Sequence, residues 1–417
     1  MPDPAPVPFA QEHSRPLVAV FSATFFVRFA FGITVAVFAS YITGHSAGLG
    51  QEDYGAVGVV SAMAPLGEFS TVLFSGAAAD RYGPFRVLFV GMVGAAVLFI
   101  VVATTRSPYA LGALNFVFGI ASGAILAASL AIVAHRSGAD ERGFEMGRFD
   151  AMNLLGWIGG FAFGFGLLDV VANASLGFIF LLGAGALLVG LGLAAALVRG
   201  LPRRRGTEGY VFSAVVRHAF RKSVLLVTLP WLVIYMLIGT ALVFLGNAAG
   251  GLGISRVYLA AAIGGGGLIL VVTQPYFGRL SDRNGRMRMM TVGATGFVAL
   301  MVFASLVIAY GPEVPLLVGI GGSVLAALAY GPAALAALAD LTTEMGRATT
   351  MAIYSLTISL GMVVGLAGST TLYSDLGDAG LYLFFGAIAG ALVALTAARY
   401  GEASTARRAE EITTPAR

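Results

Sequence analysis

The sequence contains no cysteine, which excludes disulfides, a thiol nucleophile and any thiolate metal site. Its four histidines, His13, His45, His135 and His218, include no two at ligand spacing, so no metal centre is expected. Charge is scarce: Asp, Glu, Lys and Arg make up 11% of the chain, against about 25% in an ordinary soluble domain. No GxxxxGK[ST] run occurs, which removes the phosphate cradle of an ATP-driven pump. The first sixteen residues, MPDPAPVPFAQEHSRP, lack the basic n-region of a secretory signal, so the apolar run from Leu17 reads as a retained first span. No cofactor and no nucleic-acid partner are expected.

What is abundant is apolar. Of 417 residues 58% are hydrophobic, and the mean hydropathy is +0.88. A soluble fold is excluded on these values. Glycine is also frequent, at 57 residues; small residues let helices approach closely in lipid, so this suits a tightly packed membrane bundle.

A spanning helix needs about 20 apolar residues. Cutting at polar, charged and Gly/Pro punctuation gives twelve such stretches, at 17–43, 54–78, 86–105, 108–135, 147–170, 174–198, 223–248, 255–278, 289–310, 313–340, 347–372 and 379–399. Basic residues favour cytoplasmic loops. With the N-terminus inside, 22 of the 25 Lys and Arg fall on the inner side, Arg106 and Arg256 fall outside, and Arg28 lies within the membrane. A missed helix would scatter the later charges to both sides, so the count predicts a multi-pass protein of the cell membrane with both termini cytoplasmic.

The longest polar interruption divides the chain. The expected organisation is an N-terminal tail over 1–16, six helices over 17–198, a linker over 199–222, six more helices over 223–400 and a C-terminal tail over 401–417. Within the linker, VFSAVVRHAF reads either as an amphipathic helix on the membrane surface or as an unstructured tether.

Two motifs recur at one half-chain period. Gly76-Ala-Ala-Ala-Asp80-Arg81-Tyr82-Gly83 matches Gly278-Arg-Leu-Ser-Asp282-Arg283-Asn284-Gly285, and Glu145-Met146-Gly147-Arg148 matches Glu344-Met345-Gly346-Arg347. Agreement between independent motifs is the mark of a duplicated unit, with the halves as parallel repeats about an axis along the membrane normal. In the loop, glycine supplies backbone freedom, and the aspartates can hold arginines or a helix N-terminus. The alternative is a generic charged turn.

The loop Gly-x-x-x-Asp-Arg-x-Gly, followed by Arg86 in one copy and by Arg286 and Arg288 in the other, resembles the signature of the major facilitator superfamily, over Leu17 to about Arg399. The resemblance implies an all-α membrane protein, twelve transmembrane helices in two six-helix bundles related by pseudo-two-fold symmetry, rocking about a central cavity. It also implies that the loop motifs lock a cytoplasmic gate. Asp340, Glu344, Arg347 and the segment from His135 to Asp150 are expected to join that network, or else to be solvated loop charge.

Charges inside a span are costly and mark function by default. Arg28 in the first span and Glu68 in the second lie ~15 to 16 Å from the cytoplasmic side at about 1.5 Å per residue. They are therefore expected to interact, either as a pair broken by protonation or substrate, or as a static pair that fixes register. Phe21, Thr24, Phe25, Phe31 and Gly32 share overlapping faces with Arg28, a setting that could bind an organic anion or serve only for packing.

Asn115, Ser122 and Ser129 form a polar stripe down the fourth span that reads as cavity lining or helix contact. Asn115 stands where the superfamily's drug/proton antiporters carry Arg before a glycine, here Gly119. Gly147, Gly156 and Gly160 keep the glycine spacing of their fifth-span signature, but Phe161 stands where its Pro would follow. Both departures leave proton coupling open.

Asn153 and Trp157 are further lining candidates in the first half. The second half has no mid-membrane charge; its polar candidates are Tyr235, Thr240, Gln274, Ser323, Tyr330, Tyr354, Ser355 and Thr357. A membrane enzyme would need a nucleophile-base pair or metal cluster at depth, which the spans do not offer. The expected function is secondary active transport of a small organic solute by alternating access, with export favoured through the resemblance. The chain is expected to act as a monomer among membrane lipids, coupled to protons or another ion. The alternative reading is a flippase for lipids or lipid-linked glycans.

Overall fold

The computed structural model describes residues 9–45, 54–136, 142–168, 170–171, 176–198, 220–251, 253, 255–341 and 347–413. The helices are α1 (Phe9–His45), α2 (Tyr54–Tyr82), α3 (Pro84–Thr104), α4 (Pro108–Arg136), α5 (Arg142–Leu167), α6 (Leu176–Val198), α7 (Lys222–Gly251), α8 (Arg256–Asn284), α9 (Arg286–Tyr310), α10 (Val314–Ala327), α11 (Tyr330–Leu341) and α12 (Arg347–Thr413). Each of the twelve expected stretches is occupied by helix. Among the described residues nine helices are long and apolar enough to cross a membrane, and Ala151–Leu167 and Ala379–Leu392 are shorter apolar helices. Most of the linker expected over 199–222 lies outside the described residues, as do both terminal tails' ends.

Two of the divisions between helices differ from the sequence expectation, each for a local reason. The tenth stretch was expected as one helix but is broken between α10 and α11 at Leu328 and Ala329. Pro332 accounts for this: it has no N–H for the Leu328 carbonyl, and its ring crowds that carbonyl. Conversely, the last two stretches run on as α12, divided at Gly377, whose φ of 61° only glycine adopts without strain.

The first six helices form one bundle, with α1 packed against α4, α5 and α6, and α2 and α3 against α4. The second bundle repeats the plan: α7 lies against α12, and α9 against α10, α11 and α12. The loop motifs fold alike. Gly83 has φ 91° and ψ 132°, and Gly285 has φ 90° and ψ 131°. The Gly83 N–H donates to Ala79 O at 2.9 Å and the Gly285 N–H to Ser281 O at 3.0 Å, so each ends one helix and starts the next.

A further correspondence emerges from packing. A Cβ added at Gly156 or Gly160 on α5 would strike the backbone of Phe25 or Phe29 on α1; at Gly361 or Gly365 on α12 it would strike Leu232 or Met236 on α7. In both halves a pair of glycines one turn apart seats the first helix of the bundle. Arg28 immediately precedes Phe29, and Tyr235 immediately precedes Met236, so the two residues hold matching places.

The bundles meet along α2 with α12 and α5 with α8. Gly58 abuts Thr370, Gly267 abuts Ile158, and Gly264 and Gly166 lie against Ala162 and Ala260. Ala62 clusters with Met362 and Leu366. All these contacts lie toward the end of the bundle remote from the Gly83 and Gly285 turns; the turn-bearing end, rich in arginine, is called the basic end below.

Candidate functional site

A cavity of about 330 Å³ lies between the two bundles, on the basic-end side of that seam. Ile158 and Met362, which join the inter-bundle contacts, are also among its walls. The first half contributes Arg28 and Phe31 from α1, Pro65 and Glu68 from α2, Leu126 and Leu130 from α4, and Phe149, Asn153 and Trp157 from α5. The second half contributes Trp231, Tyr235, Gln274, Phe297, Tyr330, Tyr354 and Ser355 among others.

Arg28 and Glu68 meet as the sequence depth suggested. The Arg28 guanidinium donates from Nη2 to Glu68 Oε1 at 3.0 Å and from Nη1 to Oε2 at 3.2 Å, a two-pronged pair. The Ser122 hydroxyl donates to Glu68 Oε2 at 3.3 Å, and the guanidinium lies 5.6 Å from the centre of the Phe31 ring. The side chains are 11% and 6% exposed, so the pair is shielded but reaches the cavity wall. Gly119 and Gly123 on α4 let α2 approach at Ala64 and Glu68, which sets the pair's depth. Among the described residues, Arg28 and Glu68 are the only charged ones that line the cavity.

On the facing side, Tyr235 and Tyr354 are near enough to Arg28 to interact with it electrostatically. The Tyr330 hydroxyl is engaged elsewhere, donating to Val227 O at 3.2 Å, so Tyr330 offers the cavity its ring. Trp231 packs on Tyr354 with ring centres 4.8 Å apart and on Tyr330 at 6.3 Å, making an aromatic wall. Asn153 Oδ1 is buried without a hydrogen-bond partner among the described residues.

Eight of the nine residues expected to line a substrate path do line this cavity; Asn115 does not. Its side-chain amide donates to Val60 O at 3.0 Å and to Ser61 O at 3.3 Å. Pro65 has no N–H to give the Ser61 carbonyl, and Asn115 supplies the missing donor. Thr240 and Ser323 likewise turn to helix carbonyls, at Met236 and Gly319. The residues that sequence reading missed are Ser359 and a set of apolar ones that includes Phe149, Trp231 and Phe297. Trp231 carried a signal, since it lies four residues before Tyr235 and hence on the same helix face.

Of the loop motifs, Asp282 pairs with Arg286 at 3.6 Å on an exposed turn, and Arg81 stands 5.5 Å from the Tyr82 ring centre. Arg148 sits 5.1 Å from the ring centre of Phe21, while Arg86 and Arg283 are exposed and Gly278 half-buried. Glu344 lies outside the described residues, and the side chains of Asp80, Glu145, Asp340 and Arg347 and the surroundings of Gly76 do too.

Comparison with solved structures gives the fold independently. A POT family transporter in complex with a thioalcohol-conjugated peptide superposes with a TM-score of 0.74 at 15% identity, covering 93% of this chain and 96% of that one. The nucleoside transporter NupG superposes at 0.68 with 13% identity, covering 92% and 99%. The human organic anion transporter MFSD10 superposes at 0.65 with 16% identity, again covering 92% and 99%. No curated protein sequence gives a significant match. The family model described as Major Facilitator Superfamily matches residues 20–330 and 232–417. With a family match across nearly the whole chain and the paired bundles around a cavity, the chain is a transporter rather than an enzyme and belongs to the major facilitator superfamily.

Proposed function

We propose that the chain moves a small organic solute across the cell membrane by alternating access, as a secondary active transporter. The observation that carries this reading is the cavity's position: it lies between the halves and stops at a seam that closes one end. In this reading the units 17–198 and 223–400 rock about the linker 199–222, both termini are cytoplasmic, and a monomer suffices. The cavity then faces the cytoplasm, and the turns at Gly83 and Gly285 come together when it closes there. Two packings of similar energy are what such a cycle requires.

The substrate-contacting residues in this reading are Arg28, Glu68, Asn153, Trp157, Tyr235, Gln274, Tyr330 and Tyr354. The motif residues Gly76, Asp80, Arg81, Arg86, Glu145, Arg148, Asp282, Arg283, Arg286, Glu344 and Arg347 act at the gate. A proton is the coupling ion best supplied by the site, because among the described residues Glu68 is the carboxyl that lines it. Export draws its support from the loop and glycine signatures; since Gly156 and Gly160 are used for packing on α1, the loops alone still argue for it.

The test is transport by purified protein in liposomes. Movement of water-soluble solutes driven by an imposed proton gradient is the expected result, and running the gradient in either direction gives the vector. Movement of labelled lipid between leaflets without solute transport would overturn the reading in favour of the flippase.

A further inference from the structure

We infer that the solute is a small organic carboxylate with an apolar, ring-bearing body, whose carboxylate takes the place of Glu68 on Arg28 while Glu68 takes up one proton. This rests on the transporter reading and deepens it.

The argument starts from an asymmetry between two groups. Arg28 cannot give up its proton inside a protein, whereas a carboxyl can be neutralised. The pair can therefore be opened in two ways. With Glu68 ionised, two buried charges lose their partners, which is prohibitive. With Glu68 protonated, one fixed positive charge remains at the wall. A cavity in that state is complementary to an anion.

A cationic solute would need the opposite arrangement. It would draw Glu68 from Arg28 and leave the guanidinium unpaired beside a second positive charge. Among the described residues no other acidic side chain lines the cavity to compensate it. A carboxylate also presents the same two oxygens that the guanidinium already grips from Glu68, at 3.0 and 3.2 Å.

The second half completes the cage without adding charge. Tyr235, which holds the place of Arg28 in the other bundle, and Tyr354 both stand within electrostatic reach of the guanidinium. A protonated tyrosine can donate to an anion held there. The titratable groups that face Glu68 are then Arg28 from α1, Tyr235 and Tyr330 from the second bundle's α7 and α11, and Tyr354 from α12; from α4 comes the hydroxyl of Ser122. Beyond the charged layer the walls are mostly rings and aliphatic chains, with Trp157 on one side and Trp231 on the other, interrupted by the polar side chains of Asn153, Gln274, Ser355 and Ser359. A volume of about 330 Å³ sits at the small end of ligand pockets, which run from about 300 to 1,000 Å³.

Proton and carboxylate enter together, so one turnover carries no net charge: the proton comes from water on the open side to a Glu68 oxygen and leaves with the solute on the other.

Three compounds with one ring body separate the possibilities: 2-naphthoate, 2-naphthamide and 2-naphthylmethylammonium. Binding to the full-length protein in detergent, read as a thermal shift, should favour the carboxylate. Its apparent affinity should rise up to about tenfold per unit fall in pH between about pH 8 and pH 6, where naphthoate stays ionised. Glu68→Gln should keep the carboxylate preference and lose the pH dependence. Arg28→Lys should weaken carboxylate binding by tenfold or more, and, as it retains a cation, it guards against loss through misfolding.

Preference for the ammonium compound, equal binding of all three, binding of none, or a pH dependence that survives Glu68→Gln would each overturn the inference. The transporter reading would stand through all four if liposomes still moved another solute down a gradient, and would fail only if they moved none.

Discussion

Asn115 gives its side-chain amide to the carbonyls of Val60 and Ser61 at the turn where Pro65 has no N–H to offer. The two residues lie on different helices, α4 and α2, and one repairs what the other breaks. The helix can therefore bend at Pro65 without leaving a bare carbonyl in the bundle.

It follows that Asn115→Leu should lower stability by about 1–3 kcal/mol, the cost of an unsatisfied buried polar group. Pro65→Ala in the same chain should recover much of that loss, because the alanine N–H can pair with Ser61. Thermal denaturation of the two single variants and the double variant measures this coupling. Additive losses would mean that Asn115 serves another purpose.

Arg28 and Glu68 should show the same dependence in a stronger form. Removing one partner of a shielded pair leaves a lone charge and costs about 3–5 kcal/mol, whereas removing both is often neutral. Arg28→Met and Glu68→Leu should each lower the melting temperature more than the double variant does. The double variant should fold and fail to transport.

Glycines in this chain divide into those that are crowded and those that are not. Gly160→Ala would drive a methyl into the Phe29 backbone, while Gly185→Ala would meet nothing within 4 Å. The first should cost about 1–3 kcal/mol, in keeping with overpacking, and the second should be neutral or raise the melting temperature slightly. Side-by-side melting curves settle the comparison.

Gly83→Ala and Gly285→Ala are a third kind. There is free space at both, but φ near 90° disfavours a side chain, at roughly 1–3 kcal/mol. Equal losses at the two sites, measured by the same unfolding assay, are expected from their matching backbone angles.

The helices and the repeat of the loop turns were legible in the sequence because both are written in local code: apolar run length, and glycine after Asp-Arg. The depth of Arg28 and Glu68 was legible as well, since rise per residue converts position into height. The place of Asn115 was not, because it depends on a proline fifty residues away and on which face of α4 meets α2. Phe149 and Phe297 were hidden for a different reason. In a membrane bundle every face is apolar, so hydrophobicity does not tell a cavity wall from a lipid contact. The glycine pair on α12 that mirrors Gly156 and Gly160 was likewise invisible, because what identifies it is the backbone of α7 pressed against it.

The seam that closes one end has a practical consequence for watching the molecule work. Gly58 meets Thr370, and Gly267 meets Ile158, across the two halves, in a chain without a single native thiol. A cysteine introduced on each side of either contact would give the protein its only pair of thiols. Spin labels or fluorophores placed there would report the gap as a ruler does, and a reversible disulfide would hold it shut on command.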